Sequence, residues 1–406
     1  MDIVFPPEAE ELRTEVRAFL ARELPADFPG LGKLDDAEAR EFTAWWRTKL
    51  AANGYIAPAW PKEYGGAGLD KLGQVVLAEE FAKAEVPPYG INDNFSIKMI
   101  GNLLLRFGTE QQKEYFLPRI VNGEIKFCQG FSEPGAGSDL AGLRTRARLV
   151  DGEWIVDGQK IWTSDAQTAD WIFVMTRTDP EAPRHKGISM LLMPIDQPGI
   201  TIRPIRTMAG GTSFNETFFD GARTAEENIV IGPNQGWKAA MALLGLERGD
   251  EVATNPIFFG AEVDRLIALA KERGLASDDR VRDQLVRAYT RAQIMRYLGM
   301  RTLTGWLKGE VPGRDASVSK LFWSEHHKVT TDLAVSLLGA DALVPSGRKP
   351  IRHYRADDPG APNSSASWVD TWFAAISGTI YAGTSQVQRN ILAESVLGLP
   401  KEARPR

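Results

Sequence analysis

The residues of this chain that could carry chemistry gather in three short stretches and on one helix. The first is Phe127-Cys128-Gln129-Gly130-Phe131-Ser132-Glu133-Pro134-Gly135-Ala136-Gly137-Ser138-Asp139, an apolar run that breaks into a loop of small and hydroxyl-bearing residues. Gly and Ala leave no side chain in the way, so backbone N–H groups there can approach a flat or anionic ligand. Gly135-x-Gly137 does not begin a dinucleotide fingerprint, because Leu140 stands where the third glycine belongs. Taken alone the loop also reads as a turn between two strands. The second stretch is Gly158-Gln159-Lys160-Ile161-Trp162-Thr163-Ser164, in which Trp162 is either a core aromatic or a ligand platform. The third, Ile380-Tyr381-Ala382-Gly383-Thr384-Ser385-Gln386-Val387-Gln388-Arg389-Asn390, leads from a glycine into a helix start. Such a start supplies unpaired N–H donors and a partial positive charge, though Thr384 there also serves as an ordinary N-cap. On the helix, Glu247 shares a face with Ala240, Leu243 and Leu244, where desolvation raises a carboxyl pKa toward the working range of a proton acceptor. Beside Arg248, Asp250 and Glu251 it also reads as plain surface charge.

The elements that position these residues follow from periodicity. Apolar residues recur at helical spacing over 8–24, from about 36 to 53, and over 71–84, 96–107 and 110–120, so the first 126 residues read as an all-α domain. After Gly123 the period changes. Segments 147–150 and 154–156 flank Asp151-Gly152, a hairpin dipeptide, and strands follow at 171–175, 188–193, 200–202 and 214–219. A compact β-barrel-like domain over 127–233 is the economical reading. Helical pattern returns at 236–249, 258–273, 280–307 and 316–338, giving a C-terminal four-helix bundle over 234–406. An irregular loop spans 344–367, and shorter helices at 368–377 and 384–395 bracket Tyr381-Ala382-Gly383.

Composition narrows the class. A chain of 406 residues with 43% hydrophobic and 25% charged residues is long enough for two or three domains and is neither disordered nor fibrous. A net charge of −5 argues against nucleic acid or an anionic membrane as principal partner. Cys128 is the only cysteine, which excludes an intrachain disulfide and fits a reducing cytoplasm. The start of the chain does not read as a secretory signal, and no apolar run of about twenty residues could span a bilayer. The four histidines lack metal-ligand spacing, and His326-His327 reads as a helix-surface pair.

Taken together, the three motifs, in this order and at these separations, resemble the acyl-CoA dehydrogenase family of flavoproteins. The resemblance runs from Ala59-Trp60-Pro61-Lys62-Glu63-Tyr64-Gly65-Gly66 to Leu397-Gly398-Leu399-Pro400, and the α, β, α order of segments is that of the family. It implies FAD as cofactor, with Gln129, Phe131, Ser132, Gly137 and Ser138 along one side of the flavin and pyrophosphate. Trp162 and Ser164 meet the other side, and Thr384 and Gln386 serve as C-terminal contacts. The implied reaction is α,β-dehydrogenation of an acyl-CoA to the trans-2-enoyl thioester, with an electron-transferring flavoprotein as acceptor and a homo- or heterotetramer as assembly. A noncatalytic partner subunit and an acyl-CoA oxidase are the alternatives.

Two departures from the family pattern bear on this. Many members carry Glu between Tyr and Gly of the C-terminal motif, whereas this chain has Ala382. Other members carry Glu on the first long C-terminal helix directly before an Arg, and counting from Gly236-Trp237-Lys238 those positions are Glu247 and Arg248. The resemblance therefore implies Glu247 as base, Arg248 and Ala382 on the substrate side, and a branched, long or steroid side-chain acyl group. The Arg-Lys-Thr-Phe-Gly motif that reaches a neighbouring subunit's FAD is absent, with Glu272-Arg273-Gly274-Leu275-Ala276 in its place. The later family motif is eroded to Ser336-Leu337-Leu338-Gly339-Ala340.

Overall fold

The computed structural model describes residues 5–250, 252–310, 314–347 and 367–401, with the backbone alone at 245–250 and 314–316. The chain opens with helices α1 (Pro7–Glu23), α2 (Asp36–Ala52), α3 (Lys71–Lys83), α4 (Asn102–Phe107) and α5 (Glu110–Asn122). Strands β1 (Phe127–Gly130), β2 (Arg146–Val150), β3 (Glu153–Ser164), β4 (Trp171–Arg177), β5 (Ile188–Pro194), β6 (Ile200–Ile205) and β7 (Phe214–Ala225) follow. Helices α6 (Gly236–Asp250), α7 (Asn255–Glu272), α8 (Asp279–Leu307), α9 (Arg314–Leu338), α10 (Trp368–Gly378) and α11 (Ser385–Ile391) complete it. The architecture is an N-terminal helical segment, a middle β-sheet and a C-terminal helical segment, as the periodicity predicts.

The chain forms two compact units. One comprises 1–46, 69–88 and 248–406, and the other 47–68 and 89–247. In the first, α1 starts on Pro7, whose missing N–H costs nothing at a helix N-terminus, and buries Ala9, Arg13, Val16 and Leu20 at spacings of four and three. Glu80 of α3 gathers Arg13 at 2.6 Å, Arg17 at 2.8 Å and Lys83 at 2.7 Å, so the α1–α3 contact is charged as well as apolar. Helices α7, α8 and α9 enclose Phe259, Val263, Leu266, Ala292, Met295 and Trp323.

Here one sequence expectation is corrected. His326 and His327 are not on a helix surface; both are buried in α9, and Phe259 packs edge-on against each at 5.5 and 5.6 Å. The His327 Nε2 lies 3.0 Å from Glu262 Oε2 of α7. Because α9 touches α7, α8, α10 and α11, little of its circumference is left for solvent.

In the second unit the strands form one seven-stranded sheet in the order β1-β4-β2-β3-β7-β6, with β5 also paired to β4. Asp151 and Gly152, at φ 51° and 81°, make the predicted β2–β3 turn with both residues left-handed. The alternating inward face contributes Cys128, Val156, Ile172, Val174, Leu191 and Met193 to the core. Strand β3 runs on to Ser164, well beyond the 154–156 segment expected, and so includes Trp162 and Ser164.

Helices flank the sheet and are tied to it by buried polar contacts. The expected 96–107 helix begins as a π-helical stretch, Asn94–Gly101, before α4. Its Ser96 Oγ accepts the Phe127 N–H at 2.8 Å, fixing the start of β1. Gly101 is required there, since a Cβ would fall 2.1 Å from the Trp60 ring. Arg47 crosses to Asp93 at 2.9 Å and donates to the carbonyls of Ile120 and Val121, capping the C-terminal end of α5. No helix among the described residues is long and apolar enough to cross a membrane.

Candidate functional site

The loop after β1 is built around a small turn in which Glu133 and Ala136 exchange backbone hydrogen bonds of 3.1 and 3.0 Å. Pro134 and Gly135 form its exposed tip, and Gly137 and Ser138 lie exposed beyond it. A Cβ added at Gly135 or Gly137 would meet no protein atom within 4 Å, and neither residue has positive φ. Internal packing and backbone conformation therefore do not explain these glycines. What their missing side chains provide is clear space in front of the backbone, the condition for a ligand to approach N–H groups closely.

The end of β3 adjoins this loop. Pairing with β7 slips by one residue between Lys160 and Thr163, a bulge that puts an extra residue on β3. Trp162 sits in this bulge at φ 62°, a conformation that costs a non-glycine residue energy. The result is an indole 55% exposed, held edge-on by Phe214 at 6.0 Å. The core-aromatic reading of Trp162 does not hold: the bulge turns the ring outward. Ser164 is buried in the same strand, and Ile161 N–H donates to the Ser132 carbonyl at 2.9 Å, so the bulge and the loop are directly joined.

Of the predicted contacts in this unit, Gln129 and Ser132 are half-buried at the loop's root, while Gly137, Ser138 and Trp162 are open. Phe131 differs. Its ring is buried edge-on against Phe173 at 5.9 Å, leaving its backbone as the part available to a ligand.

Sequence reasoning missed the residues that hold this loop. Lys160 is fully buried, with Nζ 2.8 Å from Glu133 Oε1 and 3.1 Å from the Phe131 carbonyl. Glu133 in turn accepts the N–H groups of Arg144 at 2.6 Å and Thr145 at 2.9 Å. Burial pulls the Lys160 pKa down to about 8, with the Glu133 charge opposing it. Burial alone would raise Glu133, but Lys160 and the Thr145 donors hold it below the usual carboxylate range. Arg177 steadies the chain beyond, donating to the Ala141 carbonyl at 2.7 Å and to the Arg184 carbonyl, while Arg184 pairs with Asp139. The one sequence signal was a lysine at the centre of a strand whose neighbours alternate inward, and it named no partner.

The C-terminal motif lies in the other unit. Ala382 and Gly383 both have positive φ, 51° and 89°, turning the chain into α11. Buried Lys320 of α9 donates to the Gly383 carbonyl at 2.6 Å, and buried Gln388 donates to the Ala382 carbonyl at 3.1 Å. The Thr384 hydroxyl accepts the Val387 N–H at 3.1 Å, so it acts as an N-cap, and Gln386 is exposed. Ser385 donates to Glu325 at 2.8 Å.

Position 247 follows Leu243 by one helical turn and Ala240 by two, and both of these are fully buried. The side chains of Glu247 and Arg248, and all of Glu251, lie outside the described residues. Among the described residues no group of three or more His, Cys, Asp or Glu could hold a metal ion.

Comparison with known proteins gives matches along the chain. Models of the acyl-CoA dehydrogenase N-terminal, middle and C-terminal domains match residues 6–124, 128–222 and 234–397. Acyl-CoA dehydrogenase IpdE1 of Mycobacterium tuberculosis is 40% identical over 402 residues, covering 98% of this chain and 99% of that protein. Acyl-CoA dehydrogenase FadE26 of the same organism is 33% identical over 423 residues, the full length of both. Among solved structures, the Tcur3481-Tcur3483 steroid acyl-CoA dehydrogenase is 33% identical with a TM-score of 0.80, covering 99% of this chain and 100% of that one. The ChsE4-ChsE5 complex from Mycobacterium tuberculosis is 30% identical with a TM-score of 0.77, covering 99% and 100%.

Proposed function

Since the chain belongs to the acyl-CoA dehydrogenase family and is an acyl-CoA dehydrogenase, we propose that it binds FAD and converts an acyl-CoA thioester to its trans-2-enoyl product. The observation that carries the FAD reading is the clear space before Gly135 and Gly137 together with an exposed indole on a bulge hydrogen-bonded to the same loop. A flat ring system with a diphosphate tail suits such a site: aromatic area on one wall, accessible backbone on the other.

Gln129, Ser132, Gly137, Ser138 and the Phe131 backbone would hold the cofactor from one side, Trp162 and Ser164 from the other, with Thr384 and Gln386 as further contacts. FAD, when bound, supplies the two-electron acceptor for the hydrogen leaving the β carbon. Glu247 is assigned as the base that takes the α proton, and Arg248 and Ala382 lie on the substrate side. A methyl at 382 supports that assignment, because it cannot accept a proton.

The acyl group we infer is branched, long or steroid-derived, a reading supported by the 33% identity to the Tcur3481-Tcur3483 steroid acyl-CoA dehydrogenase. An electron-transferring flavoprotein is the proposed acceptor, and a tetramer, of one chain or with an unlike partner, the proposed assembly. The test is direct. The purified protein should be yellow and should bleach without air on adding a steroid side-chain or branched acyl-CoA. A colourless protein that takes up no flavin on reconstitution overturns the cofactor reading, and bleaching fastest with butyryl-CoA overturns the substrate class.

A further inference from the structure

Beneath the glycine loop lies an ion pair with no evident reason to be ionic. Lys160 and Glu133 are 0% and 8% exposed, and removing two charges from water costs free energy that their attraction recovers only in part. A pair of apolar side chains could fill the same space. What apolar side chains could not do is what this pair does with its remaining hydrogen-bonding capacity. Lys160 Nζ reaches both Glu133 and the Phe131 carbonyl, and Glu133 reaches the N–H groups of Arg144 and Thr145.

These contacts fall at the two walls of the proposed cofactor site. Glu133 is the first residue of the turn carrying Gly135, and Phe131 precedes Ser132, whose carbonyl accepts from Ile161. Lys160 stands two residues before Trp162, at the lower edge of the bulge. One buried cation thus fastens the loop to the strand that presents the indole.

We propose that Glu133 and Lys160 are positioning residues for FAD, locking the Phe131–Ala136 backbone against the Trp162 bulge so that both walls are set before the cofactor arrives. This rests on the reading of that loop as an FAD wall. Setting the walls beforehand avoids an ordering cost on binding, so the pair should act on FAD affinity apart from its effect on stability.

The experiment compares apo-protein variants by FAD dissociation constant, from quenching of flavin fluorescence, and by melting temperature. Lys160→Met should raise the constant at least about tenfold and lower the melting temperature, since it leaves the Glu133 carboxylate buried without its cation. Adding Glu133→Gln removes that stranded charge, so the double variant should regain much of the melting temperature while its FAD constant stays raised, the Phe131 carbonyl still lacking its donor. Arg47→Met, which breaks the Arg47–Asp93 pair in the same unit, should lower the melting temperature with a change in FAD constant below about threefold. If Lys160→Met does not fold, the double variant carries the comparison. Unchanged affinity in a folded Lys160 variant, or affinity recovering in step with the melting temperature, overturns the inference alone. Failure of the wild-type protein to bind FAD overturns the cofactor reading and the inference with it.

Discussion

At position 382 a methyl group stands on backbone held at φ 51°, with its carbonyl taken by Gln388. A methyl group cannot accept a proton, so the proposed reaction assigns the base to another element. Glu247 follows the buried Leu243 and Ala240 by one and two helical turns, and it is the residue proposed to take the α proton. Glu247→Gln preserves size and hydrogen bonding but not proton affinity. We expect it to keep FAD and acyl-CoA binding and to slow anaerobic flavin reduction by about a thousandfold, the scale of a lost general base. Glu251→Gln should reduce the flavin at close to the normal rate. Unchanged reduction in Glu247→Gln would remove this residue from the mechanism and move the search to Glu251 or a partner chain.

The helix α9 shows what an element can hide and what it does with it. Burial pulls His326 down to about 4, while Glu262 of α7 opposes that shift and His327 and Arg291 of α8 reinforce it. An unfolded chain takes up this proton below its ordinary value near 6.5, whereas the folded chain stays neutral until about 4. Stability contributed by the neutral ring is therefore present above the unfolded value and falls as pH drops from about 6.5 to about 4, by about 3 kcal/mol in all. Replacing His326 with Leu should shrink the drop in melting temperature between pH 7 and pH 5, and an identical drop would show that other groups govern acid sensitivity. The sequence misread this pair for a physical reason: α9 buries Ser317, Lys320, Ser324, Thr330 and Thr331 along with its apolar residues, so no polar stripe marks an exposed side. Elements with one buried face, such as α1 and the β2–β3 hairpin, were legible from spacing and turn residues alone. The turn after β1 was legible as a loop from its Pro and Gly residues, with Glu133 and Ala136 exchanging backbone hydrogen bonds there. The bulge at Trp162 and the Glu133–Lys160 tie were not, since each depends on register or on a partner 27 residues away that period-two alternation cannot name.

For the whole molecule the informative surface is α8. Val286, Tyr289, Ile294 and Tyr297 are 62%, 50%, 41% and 49% exposed, at spacings that lay them along one side of the helix. Scattered surface apolar residues are ordinary, but four large ones in a stripe on a 29-residue helix are the kind of face that soluble proteins cover. Covering it by another copy or by an unlike chain leaves the helical core of that unit unchanged, because Leu285, Ala288, Ala292 and Met295 point the other way. We expect light scattering on the purified chain at micromolar concentration to give a mass well above that of one chain. Tyr289→Lys with Tyr297→Lys should lower that mass while leaving the far-ultraviolet circular dichroism intact, since charged groups on a covered stripe oppose association but are solvated on a free one. A wild-type chain that scatters as a stable monomer would contradict the assembly, and a double-lysine variant with undiminished mass would place the contact on another face.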